Sequence, residues 1–393
     1  MSARYRWVVL GLGILAQAAF AALLTGFPAL GPAIRDGYAL SLSGFGALLG
    51  AITAGATLTL VPWGLLTDRI GERISISIGL AGAAAALAVA ATGGSALLAA
   101  MLFASGVFGA VANVASGRVV MGWFGFGERG MAFGLRQAAV PLGGAVAAFT
   151  LPALVAVTDA RAGLVALSAG CLVAAAACAV WLREPGGPRP PRGLGPLRDR
   201  RVYRLAGASG LLVASQAAVV GFVVLFLHEE RGMSEVAAGA VLAVIQVVGV
   251  VLRIAAGRWS DRLARRVIPL RWAAAVISLT WVVTPTLLDL PLAVVVPVIV
   301  AAGSLSFGWN GLSFNAAAEF GEGGRSGTAI AVQQTALFAA ASITPPLFGW
   351  LVSATSWRVG FWSLALGPAL CWLLLRPLAR SEEEGAALGS SPT

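Results

Sequence analysis

Apolar residues fall in long runs along this chain, and polar ones collect in short patches between them. Runs of about 20 residues match the hydrocarbon core of a bilayer crossed by an α-helix. The pattern predicts twelve spans, near residues 7–30, 43–66, 74–94, 96–118, 131–155, 162–182, 205–227, 235–256, 269–288, 291–314, 327–352 and 359–376. The expected fold class is all-α, a polytopic membrane protein of two pseudo-symmetric six-helix bundles, residues 1–182 and 205–380. The connection over 183–204 is rich in Pro, Gly and Arg, has too few apolar residues to fold alone, and reads as a cytoplasmic linker. Residues 381–393 are acidic, then small and polar, and are expected to be a disordered tail. Arg4 and Arg6 precede the first run as in a signal peptide, but its apolar core is too long for one, so it reads as a retained span.

Composition supports this reading. The chain is 58% apolar and 11% charged, whereas soluble domains carry roughly a quarter charged residues. A net charge of +10 raises nucleic acid as a partner, and its distribution argues against one. All 27 basic residues are arginine; 21 lie in the tails and loops that would share the N-terminal side. Four lie opposite (Arg35, Arg161, Arg231 and Arg358), and Arg136 and Arg253 fall inside spans. That bias is the positive-inside signature and places both termini in the cytoplasm. Without lysine there is no G-x-x-x-x-G-K-[ST] phosphate loop, hence no ATP motor of that type. His228 and the cysteines Cys171, Cys178 and Cys371 offer little for a metal site, and no cofactor is expected. The cysteines read as helix packing.

One charged patch occurs twice. Gly64-Leu65-Leu66-Thr67-Asp68-Arg69-Ile70-Gly71-Glu72-Arg73 joins spans two and three, and Gly257-Arg258-Trp259-Ser260-Asp261-Arg262-Leu263-Ala264-Arg265-Arg266 joins spans eight and nine. Other positions repeat as well. Gln17 aligns with Gln216, Asn113 and Ser116 with Asn310 and Ser313, Arg136-Gln137 with Gln333-Gln334, and Arg161 with Arg358. The last three matches share one offset of 197 residues, which chance would not maintain. A parallel repeat of two six-span halves places a solute path near the midplane.

On these motifs the chain resembles the major facilitator superfamily over essentially its whole length. Supporting features are Trp123-Phe124 followed by Glu128-Arg129-Gly130-Met131-Ala132-Phe133-Gly134, and Ser356-Trp357-Arg358 entering the last span. The run from Gly134 to Gly144 looks like bacterial permeases of the organic-anion, cyanate or nitrate type. The resemblance implies gates: Asp68 would approach the start of span eleven around Arg325-Ser326-Gly327-Thr328, and Asp261 the start of span five around Arg129 to Met131. Gly64 and Gly257 would let helices approach closely, while Arg69, Arg73, Arg262 and Arg266 would brace the loops or meet lipid headgroups. Two departures weigh against proton-coupled drug export. Leu102 lies near the place of the family's fourth-helix arginine, and Val140 replaces a glycine of its antiporter motif.

Polar residues inside apolar helices usually face the bundle interior or a watery cavity. Here they are Gln17, Asn113, Ser116, Arg136, Gln137, Gln216, Gln246, Asn310, Ser313, Gln333 and Gln334, with Trp309 beside Asn310 as a possible packing surface for a solute. Each is equally readable as helix–helix glue. Arg136 has two destinations, back to the interface or inward to grip an anion bidentately. The expectation is a monomeric secondary transporter in a bacterial-type inner membrane, carrying a small organic or inorganic anion. The alternatives are an exporter of neutral or amphipathic compounds, a membrane solute sensor, and, with least chemistry to support it, a membrane enzyme.

Overall fold

The structure is a computed structural model and describes residues 4–124, 128–184, 199–263, 265–320 and 326–389. Twelve helices in it are long and apolar enough to cross a membrane. They are α1 Tyr5–Tyr38, α2 Leu42–Ile70, α3 Glu72–Ala90, α4 Ser95–Gly117, α5 Arg129–Val155, α6 Ala160–Trp181, α7 Arg200–Glu230, α8 Glu235–Leu263, α9 Val267–Leu287, α10 Leu292–Phe320, α11 Ser326–Ala354 and α12 Trp357–Leu374. A further helix, α13, covers Arg376–Gly389. No strand occurs among the described residues. All twelve expected spans are present, and α1, α8 and α10 extend well past their apolar cores. Hydropathy is blind to those extra turns, because backbone hydrogen bonding continues where side chains have become polar.

Local chemistry sets several ends. Asp159 accepts a hydrogen bond from Ala162 N at 2.9 Å and caps α6; Ser356 accepts from Val359 N at 3.3 Å and caps α12. These two caps occupy matching places in the repeat. Helix α1 loosens into a π turn over Ala22–Gly26 and a 3-10 turn over Phe27–Leu30, the latter containing Pro28. Helix α7 ends in a π turn, Phe226–Glu230. Helices α4 and α10 are interrupted at Ala110 and Trp309, close before Asn113 and Asn310.

The chain forms two compact units that cross the expected halves. The first comprises Met1–Arg189 with Val220–Gln246 and Pro345–Trp350; the second comprises Pro190–Val219, Val247–Thr344 and Leu351–Thr393. Residues 220–230 of α7, 235–246 of α8 and 345–350 of α11 therefore belong to the first unit. Their packing there is close. A Cβ at Gly46 of α2 would collide with the Pro345 carbonyl of α11, and Gly349 lies equally close to Leu42 O. A chain of rings links four helices: Phe27 to Phe45 (6.1 Å), Phe45 to Phe222 (6.2 Å), and Phe222 to Phe348 (5.0 Å). All four are buried, and Arg35 forms an ion pair with Glu229 beside them. Deeper in the same unit, α2 and α4 cross at Gly55 and Gly106, where a Cβ would strike Phe103 O or Ile52 O respectively.

In the second unit, Trp281 stacks on Phe361 at 5.7 Å and donates its indole N–H to Ser306 Oγ at 2.9 Å. The segment from Ser381, expected to lack structure, is instead helical to Gly389. Glu382 explains part of this: its carboxylate accepts from Arg266 N, Val267 N and Ile268 N at 2.6, 3.2 and 3.0 Å. It thereby satisfies the otherwise orphaned first donors of α9. Of the linker over 183–204, residues 185–198 lie outside the described residues, and α7 begins at Arg200, inside the expected linker.

The outward surface is apolar. Leu58, Val61, Val146, Phe149, Val173 and Leu279 are all more than half exposed, as expected where the solvent is lipid. Exposed tryptophans mark the span ends, with Trp7, Trp181 and Trp272 on the side of the termini and Trp350 and Trp362 opposite. The three cysteines are buried free thiols.

Candidate substrate site and loop motifs

The polar residues of the first unit converge on Arg136. This arginine, on α5, is 2% exposed and turns inward, not back to the interface. Its Nε donates to Ser116 Oγ at 2.9 Å, one terminal nitrogen donates to Gln137 Oε1 at 2.8 Å, and the other to Gln17 Oε1 at 2.7 Å. The last nitrogen also donates to the carbonyls of Asn113 (2.8 Å) and Ala112 (3.2 Å). Gln17 Nε2 then donates to Asn113 Oδ1 at 2.7 Å. Helices α1, α4 and α5 are thus tied through one guanidinium.

The second unit repeats the arrangement with a neutral hub. Gln333, aligned with Arg136, donates to Ser313 Oγ, as Arg136 does to Ser116. It also donates to Ser209 Oγ at 3.2 Å, and Ser209 and Ser313 lie 2.5 Å apart. Asn310 Nδ2 donates to Gln216 Oε1 at 2.9 Å. Gln334 is half-buried and has no described hydrogen bond that joins it to this cluster. Trp309 is fully buried, with its indole N–H donating to Ser306 O at 2.9 Å.

Gln246 belongs to a separate cluster within the first unit. Its Nε2 donates to Thr25 O at 3.3 Å, where the π turn of α1 leaves a carbonyl accessible, and its buried Oε1 has no hydrogen-bond partner. A Cβ at Gly144 would collide with both Thr25 Oγ1 and Gln246 Oε1, so the glycine makes room for them. Nothing in the sequence singles out Thr25 or Ser209. Both hydroxyls hydrogen-bond the carbonyl four residues back, at 3.0 and 2.7 Å, as ordinary helical serines and threonines do.

The two loop motifs are built differently. In the first, Gly71 ends α2 with φ 88° and its N–H donates to Thr67 O at 2.9 Å. That left-handed backbone favours glycine. Arg73 braces the loop by donating from Nε to Ala179 O at 2.7 Å, and Asp68 and the exposed Arg69 lie on the last turn of α2. In the second, Ala264 lies outside the described residues, and Arg266 is the organiser. It donates to Asp261 Oδ1 at 2.5 Å, Glu319 Oε1 at 2.6 Å and Ser260 Oγ at 3.0 Å, joining the ends of α8 and α10. Burial works against its charge, but the hydrogen bonds it donates to Glu319 and Asp261 outweigh that and hold its pKa above the usual value. Arg262 is exposed.

Of the expected gate partners, Arg325 and the side chains of Ser326, Gly327 and Arg129 lie outside the described residues. The two motif glycines are not points of close approach. A Cβ at Gly64 would make an ordinary contact with Val114 Cγ1 at 3.8 Å, and one at Gly257 would meet nothing within 4 Å.

Twelve spans, a parallel repeat and a matched polar hub in each unit define a polytopic helical membrane transporter. Comparison with known proteins makes this specific. The chain belongs to the Major Facilitator Superfamily, whose family model matches residues 12–336. It is 33% identical over 326 residues to an uncharacterized MFS-type transporter of Mycobacterium tuberculosis strain H37Rv, covering 79% of this chain and 73% of that protein. A counterpart from strain CDC 1551 gives the same identity and coverage. In fold it is similar to a bacterial homolog of the human lysosomal transporter Spinster. The inward-facing, unoccupied form of that protein matches with a TM-score of 0.84 at 13% identity, covering 98% of this chain and 99% of that one. The occupied form matches with a TM-score of 0.81 at 15% identity, covering 97% and 98%. At such identities the likeness speaks for the fold alone.

Proposed function

We propose that this protein is a monomeric secondary transporter of a small organic or inorganic anion, working by alternating access of its two halves. The observation that carries the substrate class is Arg136. A guanidinium stays protonated in proteins, and this one is buried on α5, with five described hydrogen bonds that all go to neutral oxygens. A fixed cation inside an otherwise apolar bundle supports an anionic guest in the first unit. The arginine bias of the loops supports an orientation with both termini in the cytoplasm of a bacterial cell, with the protein in the inner membrane. The Asp68 and Asp261 loops act as gates on that side in this reading.

The test is uptake into proteoliposomes of radiolabelled formate, acetate, glycolate, oxalate and nitrate. Saturable flux of at least one is expected, falling by about a hundredfold in Arg136→Gln, as the loss of one charge-assisted contact implies. Flux confined to neutral or amphipathic compounds sinks the anion reading and favours the exporter. No flux of any solute, with binding retained, favours a sensor.

A further inference from the structure

The amide relays of the two units run in opposite directions. Arg136 can only donate, so Gln17 turns Oε1 toward it and keeps Nε2 for Asn113 Oδ1. Asn113 is thereby fixed with its oxygen inside the relay and its nitrogen outside. Its Nδ2 is buried and has no hydrogen-bond partner. In the second unit the hub is Gln333 and the asparagine is the donor: Asn310 Nδ2 gives to Gln216 Oε1 at 2.9 Å and to Phe307 O at 3.2 Å.

A buried amide N–H2 group without an acceptor is rare in native proteins and marks a place where an acceptor is missing. The relay also polarises it. The charge on Arg136 pulls on Gln17, Gln17 in turn pulls on Asn113, and a chain of this kind strengthens the donor at its far end. The guanidinium itself is 2% exposed and engaged on every nitrogen.

We infer that Asn113 Nδ2 receives an acceptor oxygen of the transported solute, a carboxylate or other oxyanion, and that Arg136 is a positioning residue acting through Gln17. This rests on the anion reading above. It separates cleanly from a direct grip, in which the guanidinium itself binds the anion. In a direct grip Gln17 competes with the solute for Arg136, and removing it frees a donor. In the relay Gln17 is the connection, and removing it unfixes Asn113.

The experiment measures binding of the same five anions to the purified full-length protein by titration calorimetry. It compares wild type, Arg136→Gln, Gln17→Met and Asn113→Leu, each checked for a monodisperse gel-filtration peak, with Asn113→Ala standing in if the leucine variant does not fold. The relay predicts that Gln17→Met and the Asn113 variant each weaken binding by about tenfold or more although Arg136 is intact. Unchanged or tighter binding in Gln17→Met, with loss in Arg136→Gln, overturns the relay and leaves the anion reading standing. Absence of binding to wild type by every anion overturns both.

Discussion

At the residue scale, Arg136 joins stability to function. Four groups of the first unit lean on its donors: Gln17 Oε1, Ser116 Oγ and the carbonyls of Ala112 and Asn113. Leucine at this position would take these donors away and leave Gln17 Oε1 without its described partner, at about 1–3 kcal/mol for a buried acceptor left unsatisfied. Glutamine keeps one donor group and reproduces the hub of the second unit. In thermal unfolding followed by tryptophan fluorescence, Arg136→Leu is therefore expected to unfold several degrees below Arg136→Gln; coincident transitions would contradict the hub. The sequence disclosed part of this. The common offset paired Arg136 with Gln333 and Ser116 with Ser313, but left open whether the arginine pointed inward or to the interface. Side-chain direction depends on which acceptors of α1 and α4 lie within reach, and that is set by helix packing the sequence does not record.

At the scale of elements, glycine and aromatic placement decide which helices meet. Sequence points to the motif glycines Gly64 and Gly257, yet contacts without room for a Cβ fall at other glycines, among them Gly46, Gly55, Gly106 and Gly349. With 50 glycines in the chain, composition cannot rank them; only the facing backbone can. The far end of the first unit makes this concrete. Its ion pair, Arg35 with Glu229, is partly exposed and worth about 1 kcal/mol at most. The buried Phe222 contributes about 3–5 kcal/mol on truncation. Aromatic packing therefore outweighs the ion pair at this end of the unit. Maleimide labelling of a cysteine placed at the buried Leu49, which packs near Gly221, should rise strongly in Phe222→Ala and hardly in Glu229→Gln. The opposite order would make the ion pair the closure.

For the molecule as a whole, the span count, the repeat and the family were legible, because a bilayer imposes one long apolar run per crossing. The division into units was not. It depends on where α7, α8 and α11 change neighbours along their length, and nothing in a uniformly apolar helix records that. The acidic tail misled for a related reason: Glu382 looks like a solvated charge until the open N-terminus of α9 is placed beside it. The orientation remains an expectation from arginine placement, and it is checked directly. Green fluorescent protein fused after Thr393 should fluoresce in a bacterial host, and alkaline phosphatase fused there should be inactive. The reverse pattern would invert the topology.

The opposed amide relays also bear on how such a chain diversifies. Duplication hands both halves the same helix geometry, and a hub that is glutamine in one and arginine in the other needs no new backbone. The codons for these residues differ by a single base, as in CAG and CGG. One transition at one site is enough to exchange a hub that only donates for one that can also accept. Two inherited copies of a polar site can thus come to read opposite partners, one seeking an acceptor and the other offering one, while every helix stays where it was.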